Sequence, residues 1–524
     1  MKRSISTFGL LLTSISATIG SGWLFSAYYT AAIAGPAASL SWIIGGLFVI
    51  IVAFAFAEIC AMLPISGSSA RIPQYTHGTV VSFMFSWMIW LSYLSVMTVE
   101  VQAVIQYASF YIPNMIKSNG GLTHPGYLAA TILMLIITII NTYSIRWLIR
   151  CNNILTLIKV IIPIIIVITI LIDYFTPAHV LHAANSGFMP NGVKSVLGAI
   201  STGGIIFAFN GFKQAAEMAG DAKNPGRSVP LAIVGSVCIC LILFLLIQFA
   251  FFSSLTLENL TSGWSNIQLP HHNSPLASII QQDHLPALLP LLYFAAVIAP
   301  LAAGLMYCSS AGRSLYGMSK NGYLPRFFQH ICPQGNPRNA ILVNFILGMC
   351  LFAPLPGWEN MVSFLTSLLA ITYAVGPICL LALRSQAADQ KRPLRLPFVH
   401  LWAFISFYIC TLLAYWSGWA ILSKMGIAII VGFLVLMIYR FCTARSISLN
   451  FKESIWMWPY FIGIMLISYL GNYGGKNILT LSSSLIVLAI FCLIILWLAM
   501  RFKLPPACTQ KYINELHLER DEIA

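Results

Sequence analysis

The chain has 524 residues, 59% of them hydrophobic and 8% charged, with 28 lysines and arginines against 14 acidic residues and a formal net charge of +14. Soluble domains carry roughly 25% charged residues, so this composition excludes a soluble globule and indicates a polytopic helical membrane protein. The 12 cysteines are scattered and mostly intramembrane, which excludes a disulfide framework and a metal-binding spacing.

Windows of about 20 apolar residues fall near 8–33, 38–63, 79–112, 126–143, 152–175, 194–218, 229–254 and 286–311, then near 338–354, 360–383, 397–421, 425–442, 455–471 and 478–500. That is fourteen spans. Met1-Lys2-Arg3 before a long apolar run, with Ala32-Ile33-Ala34 beyond it, imitates a signal peptide. The run exceeds the roughly 7–15 residues of a signal peptide's apolar region, so it is expected to be retained as span 1. With the N-terminus inside, 23 of the 28 basic residues fall in inner segments and only Lys117, Lys194, Lys424 and Lys476 in outer loops, leaving Lys159 within a span. A miscounted span would invert this asymmetry downstream of the error. Both termini are therefore expected in the cytoplasm. The basic charge faces an anionic leaflet, and no nucleic-acid groove is indicated.

Span 1 is interrupted midway by Ile19-Gly20-Ser21-Gly22. Unwound backbone at membrane depth is tolerated only where protein or a water-filled cavity satisfies it. A second interruption, at Phe207-Ala208-Phe209-Asn210-Gly211-Phe212-Lys213, lies five spans later in span 6. Paired interruptions at corresponding positions point to an inverted-repeat transporter, in which two broken helices meet near the midplane. Their half-helix N-termini suit a carboxylate, and their freed carbonyls and C-termini suit an ammonium. The bottom-up expectation is a carrier of a small zwitterion, an amino acid.

The chain resembles the amino acid, polyamine and organocation permeases from about residue 8 to 445. The likeness rests on Ile19-Gly20-Ser21-Gly22-Trp23-Leu24-Phe25, Ala34-Gly35-Pro36-Ala37, Ala57-Glu58 with Pro64-Ile65-Ser66-Gly67, and Phe207 to Phe212. It continues in Lys223-Asn224-Pro225-Gly226-Arg227-Ser228-Val229-Pro230, Arg313-Ser314-Leu315-Tyr316-Gly317-Met318 and Arg392-Pro393-Leu394-Arg395-Leu396-Pro397. Within the family, the form of the first break, the acidic residue in span 3 and two extra C-terminal spans look most like bacterial aspartate:proton symporter-type permeases.

The resemblance implies an all-α fold with a ten-helix core of two five-span inverted repeats, discontinuous helices 1 and 6, and about fourteen transmembrane helices. The expected divisions are a cytoplasmic N-terminus (1–7), the core (8–383, repeats about 8–175 and 194–383), helices 11 and 12 (384–446), two additional helices (447–504) and a cytoplasmic tail (505–524). It implies that the backbone of Ile19, Gly20, Ser21 and Gly22 holds the substrate carboxylate and that carbonyls around Phe207, Phe209 and Asn210 hold the ammonium. The resemblance also implies an aromatic gate at Phe209 or Phe212, with ordinary packing of these rings as the alternative.

Lys159 resembles the span-5 lysine that takes the place of a sodium ion in proton-coupled permeases, and 294–306 of span 8 contains no hydroxyl or carboxylate for a sodium site. Snorkelling to the inner interface is the alternative for Lys159. Glu100, deep in span 3 with Tyr93 and Tyr107 on its face, is expected to face the bundle interior as a proton carrier or a packing contact. Glu58 is expected to partner inner-loop basic residues. Lys213, Glu217 and Asp221 are expected to form a solvated inner-gate ion pair, with Lys213 or Lys223 supplying the cation. Lys213 stands where relatives often carry an acidic residue, which favours a neutral or acidic substrate.

In the outer loop 257–284, His271 and His272 are expected to be solvated. The polar tail is expected to be a short cytoplasmic segment, with a helix as one reading, and no separate domain. No nucleotide-binding loop, nucleophile elbow, metal site or cofactor motif is present in the sequence, so transport would run on an ion gradient or on exchange. The expectation is a multi-pass permease of the inner (plasma) membrane that moves an amino acid together with protons. An amino acid exchanger and a permease-fold sensor are the alternatives, and an enzyme is not expected. The oligomeric state is open.

Overall fold

Small residues decide where the helices stop. In the computed structural model, which describes residues 5–65, 67–143, 145–174, 187–271, 273–332, 336–442 and 449–521, span 1 divides into α1 (Thr7–Thr18) and α2 (Gly22–Ala34). Spans 2 to 5 are α3 (Ala38–Met62), α4 (Ser68–Ala108), α5 (His124–Tyr143) and α6 (Ile145–Tyr174). Span 6 is three pieces, α7 (Gly192–Thr202), α8 (Ile205–Ala208) and α9 (Phe212–Glu217), and span 7 is α10 (Pro225–Ser253). A short outer helix, α11 (Pro275–Gln282), precedes spans 8 to 10, which are α12 (Leu288–Lys320), α13 (Arg338–Leu351) and α14 (Gly357–Gln386). Spans 11 to 14 are α15 (Val399–Trp416), α16 (Trp419–Cys442), α17 (Met457–Leu470) and α18 (Leu481–Arg501), and α19 (Pro506–Asp521) follows.

Corresponding spans of the two halves pack on one another. Span 1 packs on span 6 (α1 on α9, α2 on α7 and α8), span 2 on span 7, span 3 on span 8 and span 4 on span 9. The apolar middle of α14 is fully buried, whereas only a third of the most apolar stretch of α16 and of α18 lies inside the protein. The stripe Ile427, Ile430, Leu434 and Ile438 on α16 is exposed, and its spacing of three to four residues makes it a lipid-facing surface.

Three features add to the expected spans. Gly78 (φ 80, ψ −166) leaves the helical region and divides α4 where span 3 was expected to begin, so a separate helix from Ser68 precedes the span, and the Asn450 side chain fills the notch and accepts from the Thr79 amide at 3.2 Å. The outer loop leaves His271 exposed, as expected, but anchors itself on the protein through a few buried residues. Trp264 and Ile267 are buried, Asn259 and Gln268 exchange hydrogen bonds at 2.7 and 2.8 Å, and α11 rests on α2. The tail is a docked helix. Ile513 and Leu516 are buried, Thr509 Oγ1 donates to the Tyr75 carbonyl at 2.8 Å, and Tyr512 stacks on Tyr75.

Candidate functional site

α1 ends at Ile19, whose φ/ψ of −86/79 leaves the helical region. Ser16, in its last turn, offers a carbonyl that accepts from Lys159 Nζ at 2.9 Å. Across the break, at the start of α2, the Ser21 amide donates to Glu100 Oε2 at 2.8 Å, and Ser21 Oγ accepts from Trp358 Nε1 at 2.9 Å. Lys159 and Glu100 are each 1% exposed and act electrostatically on one another. The carboxylate therefore sits on the positive end of one half-helix and the ammonium on the negative end of the other, as helix dipoles favour. Gly20 is needed for this: a methyl group there would overlap the Glu100 carboxylate. Lys159 does not snorkel. Tyr107, on the same face of α4 as Glu100, donates to the Leu24 carbonyl at 3.1 Å, while Tyr93 donates to Glu217 Oε1 at 3.0 Å.

Span 6 breaks twice rather than once. Gly203 and Gly204 (φ 89) separate α7 from α8, and Phe209 to Gly211 separate α8 from α9. Gly204 lies on Ser26 and Trp358 in a left-handed conformation that other residues rarely adopt. At the second break Gly211 lies directly on Thr18 of α1, and Gly22 of α2 lies on Ala208, so the two interruptions touch. Around it the hydrogen bonds are long: the Phe209 carbonyl accepts from Phe212 N at 3.5 Å and the Asn210 carbonyl from Lys213 N at 3.4 Å. These carbonyls retain acceptor capacity suited to an ammonium.

The two expected gate phenylalanines have different neighbours. Phe209 packs edge-on against Trp42 and Phe244, and Phe212 packs against Phe56 and Tyr373. Phe207 faces Trp358 at 5.8 Å, and Trp358 stacks on Phe25 and Tyr29 at 4.9 and 5.4 Å. Trp358, which sequence reasoning missed, thus centres an aromatic cluster beside the breaks. Its one local signal is Pro356-Gly357, a turn (Gly357 φ 81) that starts span 10 beside the break.

The expected ion pair at the end of span 6 also differs. Lys213 is 1% exposed, not solvated, and its Nζ lies over the rings of Tyr93 and Tyr373. Glu217 is engaged by Tyr93, and Asp221 interacts with Arg313 rather than Lys213 or Lys223. Glu58 meets its expected partners: Arg384 holds it through two bonds of 2.7 and 2.8 Å, Arg392 lies at 3.7 Å, and the Leu396 amide donates at 2.7 Å. His271 packs its ring on Phe110 at 4.4 Å, and His272 lies outside the described residues. Among the described residues no group of three or more metal-ligating side chains occurs.

Residues 5–436 match the family described as Amino acid permease. The chain belongs to that family. The permease is 33% identical over 507 residues to the glutamate/serine transporter AimA of Bacillus subtilis (strain 168), covering 94% of this chain and 93% of that one. It is 31% identical over 512 residues to the aspartate-proton symporter of the same organism, covering 97% and 98%. A crystal structure of a manganese transporter mutant from Eremococcus coleocola superposes with a TM-score of 0.52 at 14% identity, covering 94% of the permease and 96% of that chain. At that identity the likeness speaks for the fold, and the permease shares its all-helical transporter architecture.

Proposed function

We propose that the permease carries a neutral or acidic amino acid into the cell together with a proton, by alternating access around the two touching breaks. The observation that carries this reading is the Glu100 carboxylate on the Ser21 amide. That amide, at the N-terminus of α2, is where a substrate carboxylate would be held. An arriving substrate must displace Glu100 from it. Two carboxylates cannot both stay charged around one amide in a site closed to water, so loading goes together with protonation of Glu100. Release on the other side returns the Ser21 amide to Glu100, which sheds its proton.

Lys159, held on the Ser16 carbonyl, fills the place between spans 1 and 5 where a sodium ion would otherwise be needed, and 294–306 supplies no side-chain oxygen for such an ion. The α-ammonium would rest on the carbonyls of Phe207 to Asn210, and Trp358 and Phe207 would close over it. The similarity to a glutamate/serine transporter and an aspartate-proton symporter supports both the substrate class and the coupling ion. The distribution of lysines and arginines supports a cytoplasmic location for both termini.

The test is uptake of radiolabelled glutamate, aspartate and serine into proteoliposomes with and without an acid exterior. Accumulation is expected only with the gradient. Glu100→Gln, which cannot take up and release a proton, is expected to retain exchange of internal for external substrate and to lose gradient-driven accumulation. Accumulation that ignores the gradient and requires an internal counter-substrate would make the protein an exchanger and overturn the proposal.

A further inference from the structure

Lys213 stands apart from the other intramembrane charges because, among the described residues, no carboxylate lies within ion-pair distance of it and its one hydrogen bond is long. Lys159 is held by a carbonyl beside Glu100, and Glu58 by two arginines. The Lys213 ammonium is 1% exposed and has three donors, yet it makes one hydrogen bond, of 3.5 Å, to Thr372 Oγ1. Its other neighbours are the faces of Tyr93 and Tyr373, at 5.9 and 5.5 Å. Glu217, one turn along the same helix, acts on it electrostatically but is not within ion-pair distance among the described residues, and its Oε1 accepts from Tyr93. Beside it, Asn210 is 2% exposed, and its Nδ2 has no hydrogen-bond partner although its Oδ1 accepts from Tyr373 at 3.1 Å. Two unsatisfied donors, one of them charged, thus flank the same tyrosine at the second break of span 6. Taking a charge out of water without a partner costs several kcal/mol.

We infer that Lys213 and Asn210 form the seat for the side-chain carboxylate of a dicarboxylic amino acid, and so make the substrate aspartate- or glutamate-like. The inference rests on the proposed function, which places the α-carboxylate at Ser21 and the α-ammonium on the carbonyls of Phe207 to Asn210. Lys213 is three residues beyond Asn210, and both meet the same Tyr373 side chain, so one side-chain carboxylate can serve both. The second carboxylate supplies the anion that Lys213 lacks and accepts from Asn210 Nδ2. An uncharged side chain leaves the ammonium uncompensated.

The experiment measures inhibition of radiolabelled glutamate uptake, then uptake by variants, in proteoliposomes of the full-length protein. On the unaltered protein, glutamine and glutamate γ-methyl ester are expected to inhibit at least about 30-fold less well than glutamate or aspartate. Lys213→Gln is expected to raise the half-saturating glutamate concentration about 100-fold, in keeping with loss of a buried charge contact. It should change that for serine less than about threefold, and Lys213→Arg should restore part of the glutamate affinity. Equal inhibition by glutamate and its γ-ester overturns the inference without recourse to any variant. So does a parallel loss of glutamate and serine in Lys213→Gln, or a wild type that carries serine and neither dicarboxylate. Accumulation that ignores the proton gradient while the discrimination between glutamate and its γ-ester persists would overturn proton coupling and leave the Lys213 seat standing.

Discussion

Gly20 shows how finely single positions are set in this protein. A methyl group there would strike the Glu100 carboxylate, the group that holds the Ser21 amide. Gly20→Ala is therefore expected to lower uptake at least about 10-fold with little loss of folded protein. Gly317→Ala on α12, where a methyl group meets nothing within 4 Å, is expected to leave uptake unchanged and to stabilise by about 0.4–1 kcal/mol; parallel uptake and thermal-unfolding measurements on both variants check this. Glu100 and Lys159 were legible in the sequence because a charge inside an apolar run must be satisfied by the bundle. Lys213 was misread, since a lysine near the end of an apolar run looks like an interfacial cation until the neighbouring helices are seen to bury it. Tyr373 was not legible, and Trp358 only through the Pro356-Gly357 turn before it. In a chain with 13% aromatic residues, nothing else local separates an aromatic side chain at the breaks from one that faces lipid.

Among the elements, the interruption in span 1 could be read directly because two glycines flank a serine in mid-membrane. The first interruption of span 6 was missed. Gly203-Gly204 reads as a small-residue packing patch, and only the left-handed φ at Gly204 and its contact with Trp358 reveal a turn. The helices around these breaks are held at their basic ends by Glu58, which joins α3 to α14 and to the segment before α15 through Arg384, Arg392 and the Leu396 amide. Glu58→Ala leaves a largely buried guanidinium unpaired, at a cost on the order of 3 kcal/mol. The apparent melting temperature of the detergent-solubilised protein should fall by several degrees, and Arg384→Leu in the same chain should recover part of the loss. An unchanged melting temperature would show that the cluster does not hold α3 to α14.

For the molecule as a whole, the number and order of spans were legible because apolar length and basic loops are independent signals that agree. What they do not record is how the last segments attach. α18 and α19 are tied to the core through His77 Nε2 and the Ala499 carbonyl at 3.1 Å, Gln386 Nε2 and the Leu504 carbonyl at 2.7 Å, and Thr509 and the Tyr75 carbonyl. These bonds involve carbonyls that any residue could offer, so sequence carries no trace of them. Removing residues 505–524 is expected to lower thermal stability by several degrees and to leave the half-saturating substrate concentration within about twofold. A large change in that concentration would instead assign the tail a part in the transport cycle.

The Glu100 carboxylate and the Lys159 ammonium, set on opposite half-helix ends across the break of span 1, give the unloaded protein a counterfeit of its own cargo. A carrier whose helix ends stood bare would have to drag unsatisfied dipoles through a dry interior on its way back, and would wait for a passenger before making the return trip. On the proposed cycle, the counterfeit would let the vacant carrier make that trip alone, and a cell using it would gain amino acid on every cycle instead of trading one molecule for another.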